Sequence, residues 1–170
     1  DKLTRSLDRM ESLIDDVLTL AREGETVDDP GVVDLGTIAR DSWMVTDSGD
    51  SSLSIDSSAL IIADDGRLGS IFANLFANAV EHNDDPVTVT VSATDDGFLV
   101  ADDGDGIDVG ELDDPFEMGY STDVGGTGMG LTIVERVAEA HGWSVSLSES
   151  DAGGLAVRIS GVTFAETDDP

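Results

Sequence analysis

Three clusters in this 170-residue chain carry residue types that can do chemistry. The first is Asn74, Asn78, Glu81 and His82. At about 100° per residue the first three share a narrow stripe of a helix, and His82 stands beside it at the edge of the apolar face. Asparagine is a poor helix-interior residue because its amide competes for backbone hydrogen bonds, so two in register ask for a reason. One reading is a solvated polar face, although Asp or Glu would be the expected choice in so acidic a chain. The other is a ligand set, since neutral amide oxygens suit a hard cation such as Mg2+.

The second cluster is Asp102-Asp103-Gly104-Asp105-Gly106-Ile107, placed where a strand ends. A calcium loop fails on register: with Gly106 at the sixth position, Ala101 falls at the first and Leu112 at the twelfth, where carboxylates are required. An acidic turn is the plain alternative. The paired glycines favour a ligand, because backbone without Cβ atoms can be approached closely, and a strand-end carboxylate can accept hydrogen bonds from an amine. The third cluster is Gly125-Gly126-Thr127-Gly128-Met129-Gly130-Leu131, a glycine run passing into a helix-patterned segment. The first N–H groups of such a helix lack internal partners and carry partial positive charge, which makes the junction a ready anion site.

These clusters need elements to hold them. Residues 67–82 read as a helix with Leu68, Ile71, Phe72, Leu75, Phe76 and Ala79 inward, so the Asn stripe lies on a different face. Val87, Val89 and Val91 alternate with Thr and Ser as a strand, and Asp95-Asp96-Gly97 turns it into a second over 98–101. Residues 102–130 hold no convincing regular element, the pattern of a functional loop or lid. A helix over 131–140 follows, then strands at 143–147 and 155–159 joined by a turn at 151–154. Upstream, Asp34 is placed to N-cap a helix running to about Val45. Leu53 and Ile55 mark a short strand, and 59–63 reads as a buried one. The order of elements predicts a mixed-sheet α/β sandwich with helices on one face.

One long N-terminal helix precedes it. Leu3, Leu7, Met10, Ile14, Val17 and Ala21 alternate spacings of four and three, the seam of a coiled coil or bundle, and Leu13, Leu18 and Leu20 widen it toward a four-helix bundle. The expected organisation is residues 1–24 as a bundle helix, 25–31 as a polar linker, 32–165 as the globular domain and 166–170 as a tail.

Net charge is -29, with 37 acids against 8 Lys and Arg. Such self-repulsion destabilises a compact chain at low salt, but the Debye length shrinks to about 3 Å at 1 M. Regular apolar patterning argues against disorder, so the charge reads as adaptation to a very salty cytoplasm. It argues against nucleic acid as a partner, because no basic patch exists to meet phosphodiesters. With no cysteine there is neither a disulfide nor a thiolate metal site. No apolar run approaches the ~20 residues that cross a bilayer, so no membrane contact by this chain and a cytoplasmic location are expected.

Read in order, Asn74-Leu75-Phe76-Ala77-Asn78-Ala79, Asp102-x-Gly104-x-Gly106, Phe116-Glu117 and Gly126-x-Gly128-x-Gly130-Leu131 resemble the N, G1, F and G2 boxes of sensor histidine kinases. That family shares the ATP-binding fold of gyrase, MutL and the large heat-shock chaperones. Gly153-Gly154 resembles its last, weaker glycine box. The match covers about residues 32–163, and the first helix resembles the second helix of the family's dimerisation and phosphoacceptor bundle.

The resemblance implies roles. ATP with Mg2+ would be bound by Asn74, Asn78, His82, Asp102, Gly104, Gly106, Ile107, Phe116 and the run from Gly126 through Thr127, Gly128, Met129 and Gly130 to Leu131. Asp102 would accept the adenine amino group, Asn78 would hold Mg2+, and Phe116 would anchor the lid. N–H groups of residues 128–131 would receive phosphate oxygens, and His82 would sit near the nucleotide. Asn74 stands where hydrolytic relatives carry a glutamate that activates water. An amide cannot be a general base, which favours phosphoryl transfer over hydrolysis. The partners implied are a phosphoacceptor helix, a response-regulator receiver domain and a second copy through the first helix.

Two features depart from the pattern. Lids of the family often carry Arg or Lys after the F box, whereas Ser121, Thr122 and Asp123 stand there, and no basic residue lies between Arg67 and Arg136. Neither His82 nor His141 has the phosphoacceptor motif, so this chain is expected not to autophosphorylate alone. An ATP-hydrolysing relative and a nucleotide-binding scaffold docking through the first helix are the alternatives.

Overall fold

A computed structural model of the chain describes residues 30–81, 83, 85–104 and 130–165, with residues 3, 4, 6, 7, 10, 11 and 14 near its start. The order is β1 (Gly31–Asp34), α1 (Leu35–Met44), β2 (Ser52–Ile55), β3 (Leu60–Ala63), α2 (Asp65–Glu81), β4 (Thr88–Ala93), β5 (Gly97–Asp102), α3 (Gly130–His141), β6 (Ser144–Glu149) and β7 (Leu155–Ser160). Five strands form a mixed sheet in the order β2-β4-β5-β7-β6, and β1 pairs with β3 in a second, two-stranded sheet. Only β2 and β4 run parallel within the larger sheet. Parallel neighbours need a crossover, and the chain between them supplies β3 and α2.

The inward face of the large sheet is apolar. Val89, Val91, Phe98, Val100, Val157 and Ile159 are buried there against Leu68, Ile71, Phe72 and Phe76 of α2 and Val134 and Val137 of α3. Each such side chain contributes about 1.5–3 kcal/mol when fully buried. On β4, Thr88, Thr90 and Ser92 alternate with the buried valines and stay partly exposed, so the helices cover one face. A row of rings runs through the core. Trp43 meets Phe76 edge-on at 5.2 Å, Phe76 stacks on Phe72, and Phe72 contacts Phe98, which meets Trp143 at 6.2 Å.

Helix α1 begins where the sequence places it, because Asp34 Oδ1 accepts from Thr37 N at 3.1 Å and from Ser58 Oγ at 3.0 Å. These bonds, the Thr37 N–H foremost, hold its carboxyl below the usual carboxylate range. Two sequence readings need correction. Strand β1 starts at Gly31, inside the expected linker, and its four residues pair antiparallel with β3 from Gly31↔Ala63 to Asp34↔Leu60. Strand β3 is half-buried rather than buried, with Ile61 and Ala63 inward and Leu60 37% exposed. It serves a small sheet with one face outward, so burial alternates along a stretch that is apolar throughout.

The described residues among the first fourteen are helical. Leu3, Leu7, Met10 and Ile14 of the predicted seam are exposed at 72%, 61%, 60% and 59%. No helix among the described residues is long and apolar enough to cross a membrane.

Candidate functional site

Asp102 ends β5 and is only 8% exposed. A buried carboxylate needs hydrogen bonds, and here the main chain provides them. Its Oδ1 accepts from Gly104 N at 3.0 Å and from Leu155 N at 3.3 Å. Its carbonyl oxygen accepts from Ser150 Oγ at 2.6 Å. The β6–β7 turn therefore closes over the strand end. Gly154 lies so near that a Cβ built on it overlaps the Asp102 carbonyl and carboxylate oxygens. This accounts for the second glycine of Gly153-Gly154, while Gly153 itself has φ +95°, open to glycine and rarely to other residues.

Gly104 has a similar constraint. A Cβ there overlaps the side-chain amide of Asn83, which in turn donates from Nδ2 to Ala79 O at 2.7 Å at the end of α2. The loop after Asp102 is thus fitted against the carboxyl end of the helix that carries Asn74 and Asn78. Neither Asn83 nor Ser150 stood out in the sequence. Asn83 falls one residue beyond the predicted helix, and Ser150 is one of many serines in a strand–turn segment. Only the tertiary closure singles them out.

On α2, Asn74 and Asn78 are half-buried. Asn74 Nδ2 donates to Ser70 O at 2.7 Å, a bond one turn back that fixes the amide along the helix. Among the described residues none hydrogen-bonds the Asn78 side chain. Helix α3 starts at Gly130, so the glycine run does lead into a helix N-terminus, with Leu131 half-buried in its first turn and Thr132, Ile133 and Val134 buried. His82, Gly106, Ile107, Phe116, Gly126, Thr127, Gly128 and Met129 lie outside the described residues. A groove of about 470 Å³ runs between α1 and α2, lined by Ile38, Asp41, Ser42, Gly69 and Ala73 among others, none of them an expected site residue. It is a feature apart from Asp102.

His141 ends α3 and is occupied structurally. Its Nε2 accepts from Asp64 N at 3.0 Å, its Nδ1 donates to Val137 O at 2.9 Å, and its ring stacks on Trp143 at 4.1 Å. Accepting at Nε2 requires the neutral ring, and burial pushes its pKa below the ordinary histidine value.

Residues 63–164 match the family described as histidine kinase-, DNA gyrase B-, and HSP90-like ATPase. The chain belongs to this family. Sensor histidine kinase ZraS of Escherichia coli is 26% identical over 163 residues, covering 89% of this chain and 35% of ZraS. The chain thus spans about a third of that relative. Full-length ShkA, solved in complex with AMPPNP, superposes with a TM-score of 0.73 at 31% identity, over 95% of this chain and 38% of that one. The ATP-binding domain of PrrB from Mycobacterium tuberculosis gives a TM-score of 0.61 at 27% identity, over 82% of this chain and 100% of that domain. The family's ATP-binding module of the sensor-kinase type is therefore the unit seen here.

Proposed function

We propose that this chain is the catalytic part of a two-component sensor histidine kinase, and that it presents the γ-phosphate of Mg-ATP to a histidine elsewhere in the parent protein. The phosphoryl group would then pass to a response-regulator aspartate. The observation that carries this reading is the Asp102 carboxylate, buried at a strand end, held by main-chain N–H groups and closed over by Gly154. Such a carboxylate is a fixed hydrogen-bond acceptor, suited to an exocyclic amine such as that of adenine. The complex of the similar ShkA with AMPPNP supports a nucleotide in this fold.

Asn78, a half-buried amide on α2, fits one inner ligand of Mg2+, with phosphates and water as the rest. When bound, Mg2+ neutralises phosphate charge. The chain's own part is positioning: α2 offers the Asn78 amide, the start of α3 offers main-chain N–H groups to phosphate oxygens, and Asp102 orients the base. Asn74 supports transfer rather than hydrolysis, since its amide is bonded to Ser70 O and cannot take a proton from water. His141 is unsuited as acceptor because both ring nitrogens are engaged. Exposed Leu3, Leu7, Met10 and Ile14 support dimerisation through the first helix, beside the phosphoacceptor helix of the parent. The acid-rich surface supports a salty cytoplasm as the working medium.

Equilibrium titration with a fluorescent ATP analogue in about 3 M KCl tests the core of this. Mg2+-dependent binding that Asp102→Asn abolishes is expected; no binding by the unaltered chain overturns the reading. Adding a separate phosphoacceptor helix should then yield phosphohistidine, whereas steady phosphate release would identify an ATPase.

A further inference from the structure

We propose that Ser150 is a positioning residue for base selection, acting through Asp102; this rests on the reading of Asp102 as the acceptor of an exocyclic amine. Ser150 is 9% exposed, and its hydroxyl joins two parts of the site that are far apart in sequence. It donates to Asp102 O at 2.6 Å and accepts from Gly154 N at 2.9 Å. A hydroxyl can do both at once, as one donor with two acceptor lone pairs, and alanine can do neither.

The geometry shows what that bridge controls. Asp102 Oδ1 takes a hydrogen bond from Leu155 N, the residue directly after the glycine that Ser150 Oγ holds. The second donor to Oδ1, Gly104 N, comes from the same strand end as the carbonyl that Ser150 bonds. The Gly104 and Leu155 N–H groups that Oδ1 accepts from are thus both referred to one hydroxyl. Gly154 completes the fit, because any Cβ there would occupy the space of the carboxylate. The turn itself has separate support. Ser150 N donates to Gly154 O at 2.7 Å and Gly153 N donates to Ser150 O at 3.0 Å, so the hairpin persists without the hydroxyl. What is lost on removing it is the hydroxyl's own link between the hairpin and the Asp102 carbonyl, which supplements the Leu155 N bond and the β5–β7 ladder and steadies the aim of the carboxylate.

A residue that aims a carboxylate at an amine acts on the choice of base and leaves phosphate and metal contacts alone. The test measures binding of ATP and of inosine triphosphate, which has an oxo group in place of the amine, to the 170-residue chain in high salt with Mg2+. The unaltered chain should prefer ATP. Ser150→Ala should weaken ATP about tenfold while inosine triphosphate stays within about twofold, and Ser150→Thr should restore the preference. Equal weakening of both nucleotides, or undiminished preference, overturns the proposal. If Ser150→Ala does not fold, Ser150→Cys, which is slightly larger than serine and hydrogen-bonds only weakly, answers the same question by the same ratio. An unaltered chain that binds both nucleotides equally removes the Asp102 reading itself, an outcome distinct from failure of Ser150 alone.

Discussion

Asp102 and Asn78 are both expected to touch nucleotide, yet the chain holds them by different means. Asp102 is buried at a strand end, with its carboxylate against main-chain N–H groups from two separate segments. Asn78 projects from a helix, half-buried, and no described residue bonds its amide. The difference suits the two tasks. Choosing a base requires an acceptor fixed before the ligand arrives, because loose alignment forfeits discrimination. A metal ion brings water and phosphate as further ligands, so a single amide that can adjust serves well enough. Of the two, the more fully bonded group is the one proposed to select the base.

The largest expected effect comes from crowding the fixed end. Gly154→Ala puts a Cβ into the Asp102 backbone and carboxylate and should cost about 3 kcal/mol of stability together with ATP affinity, by urea unfolding and calorimetric titration. A variant that kept both would show that the carboxylate is not held as described. Gly97→Ala is the companion, since its Cβ overlaps Ile159 O in the β5–β7 ladder. It should lower stability and leave the affinity of the folded protein intact.

A smaller effect is expected at the adjustable end. Asn78→Ala should remove the Mg2+-dependent part of ATP affinity, on the order of tenfold, while stability changes by no more than about 0.5 kcal/mol. A stability loss like that of Gly154→Ala would make the two ends alike and end the contrast.

The smallest effect concerns His141, which ties α3 to the start of α2 outside both ends. Its folded-state pKa lies below the ordinary 6.5, mainly through burial, with Arg67 lowering it further and Asp64 and the Val137 bond opposing. The unfolded chain therefore takes up the proton first. The stabilisation is complete above pH 6.5 and is lost as pH falls through the folded-state pKa. Unfolding midpoints from pH 7.5 downward, compared with those of His141→Gln, isolate this part from the carboxylates. Identical profiles would mean that the Asp64–His141 bond contributes nothing.

Much of this arrangement was legible in the sequence. The inward positions of α2, from Leu68 to Ala79, follow from a 3.6-residue period that tertiary packing then uses unchanged. The β4–β5 hairpin follows from alternating valines and an Asp-Asp-Gly turn. Strand β1 was not legible, because Val32 and Val33 are too few to show alternation and their partner β3 lies beyond α1 and β2. Asn83 and Ser150 were not legible for a different reason. A polar side chain bonded to a carbonyl leaves no periodicity, and its importance depends on which distant backbone it meets. The expected roles of residues 105–129 fall outside the described residues.

The Ser150–Asp102 bond also bears on how the domain folds. It joins residues 48 apart, and the chain between β5 and β7 includes α3 and β6. Contacts of such separation require closing a long loop, so they form late in folding. The proposed adenine acceptor, assembled this way, would have no counterpart in a partly folded chain. Nucleotide would then act as a thermodynamic lock on the completed fold alone, adding about 1.4 kcal/mol for each tenfold of free ligand above its dissociation constant.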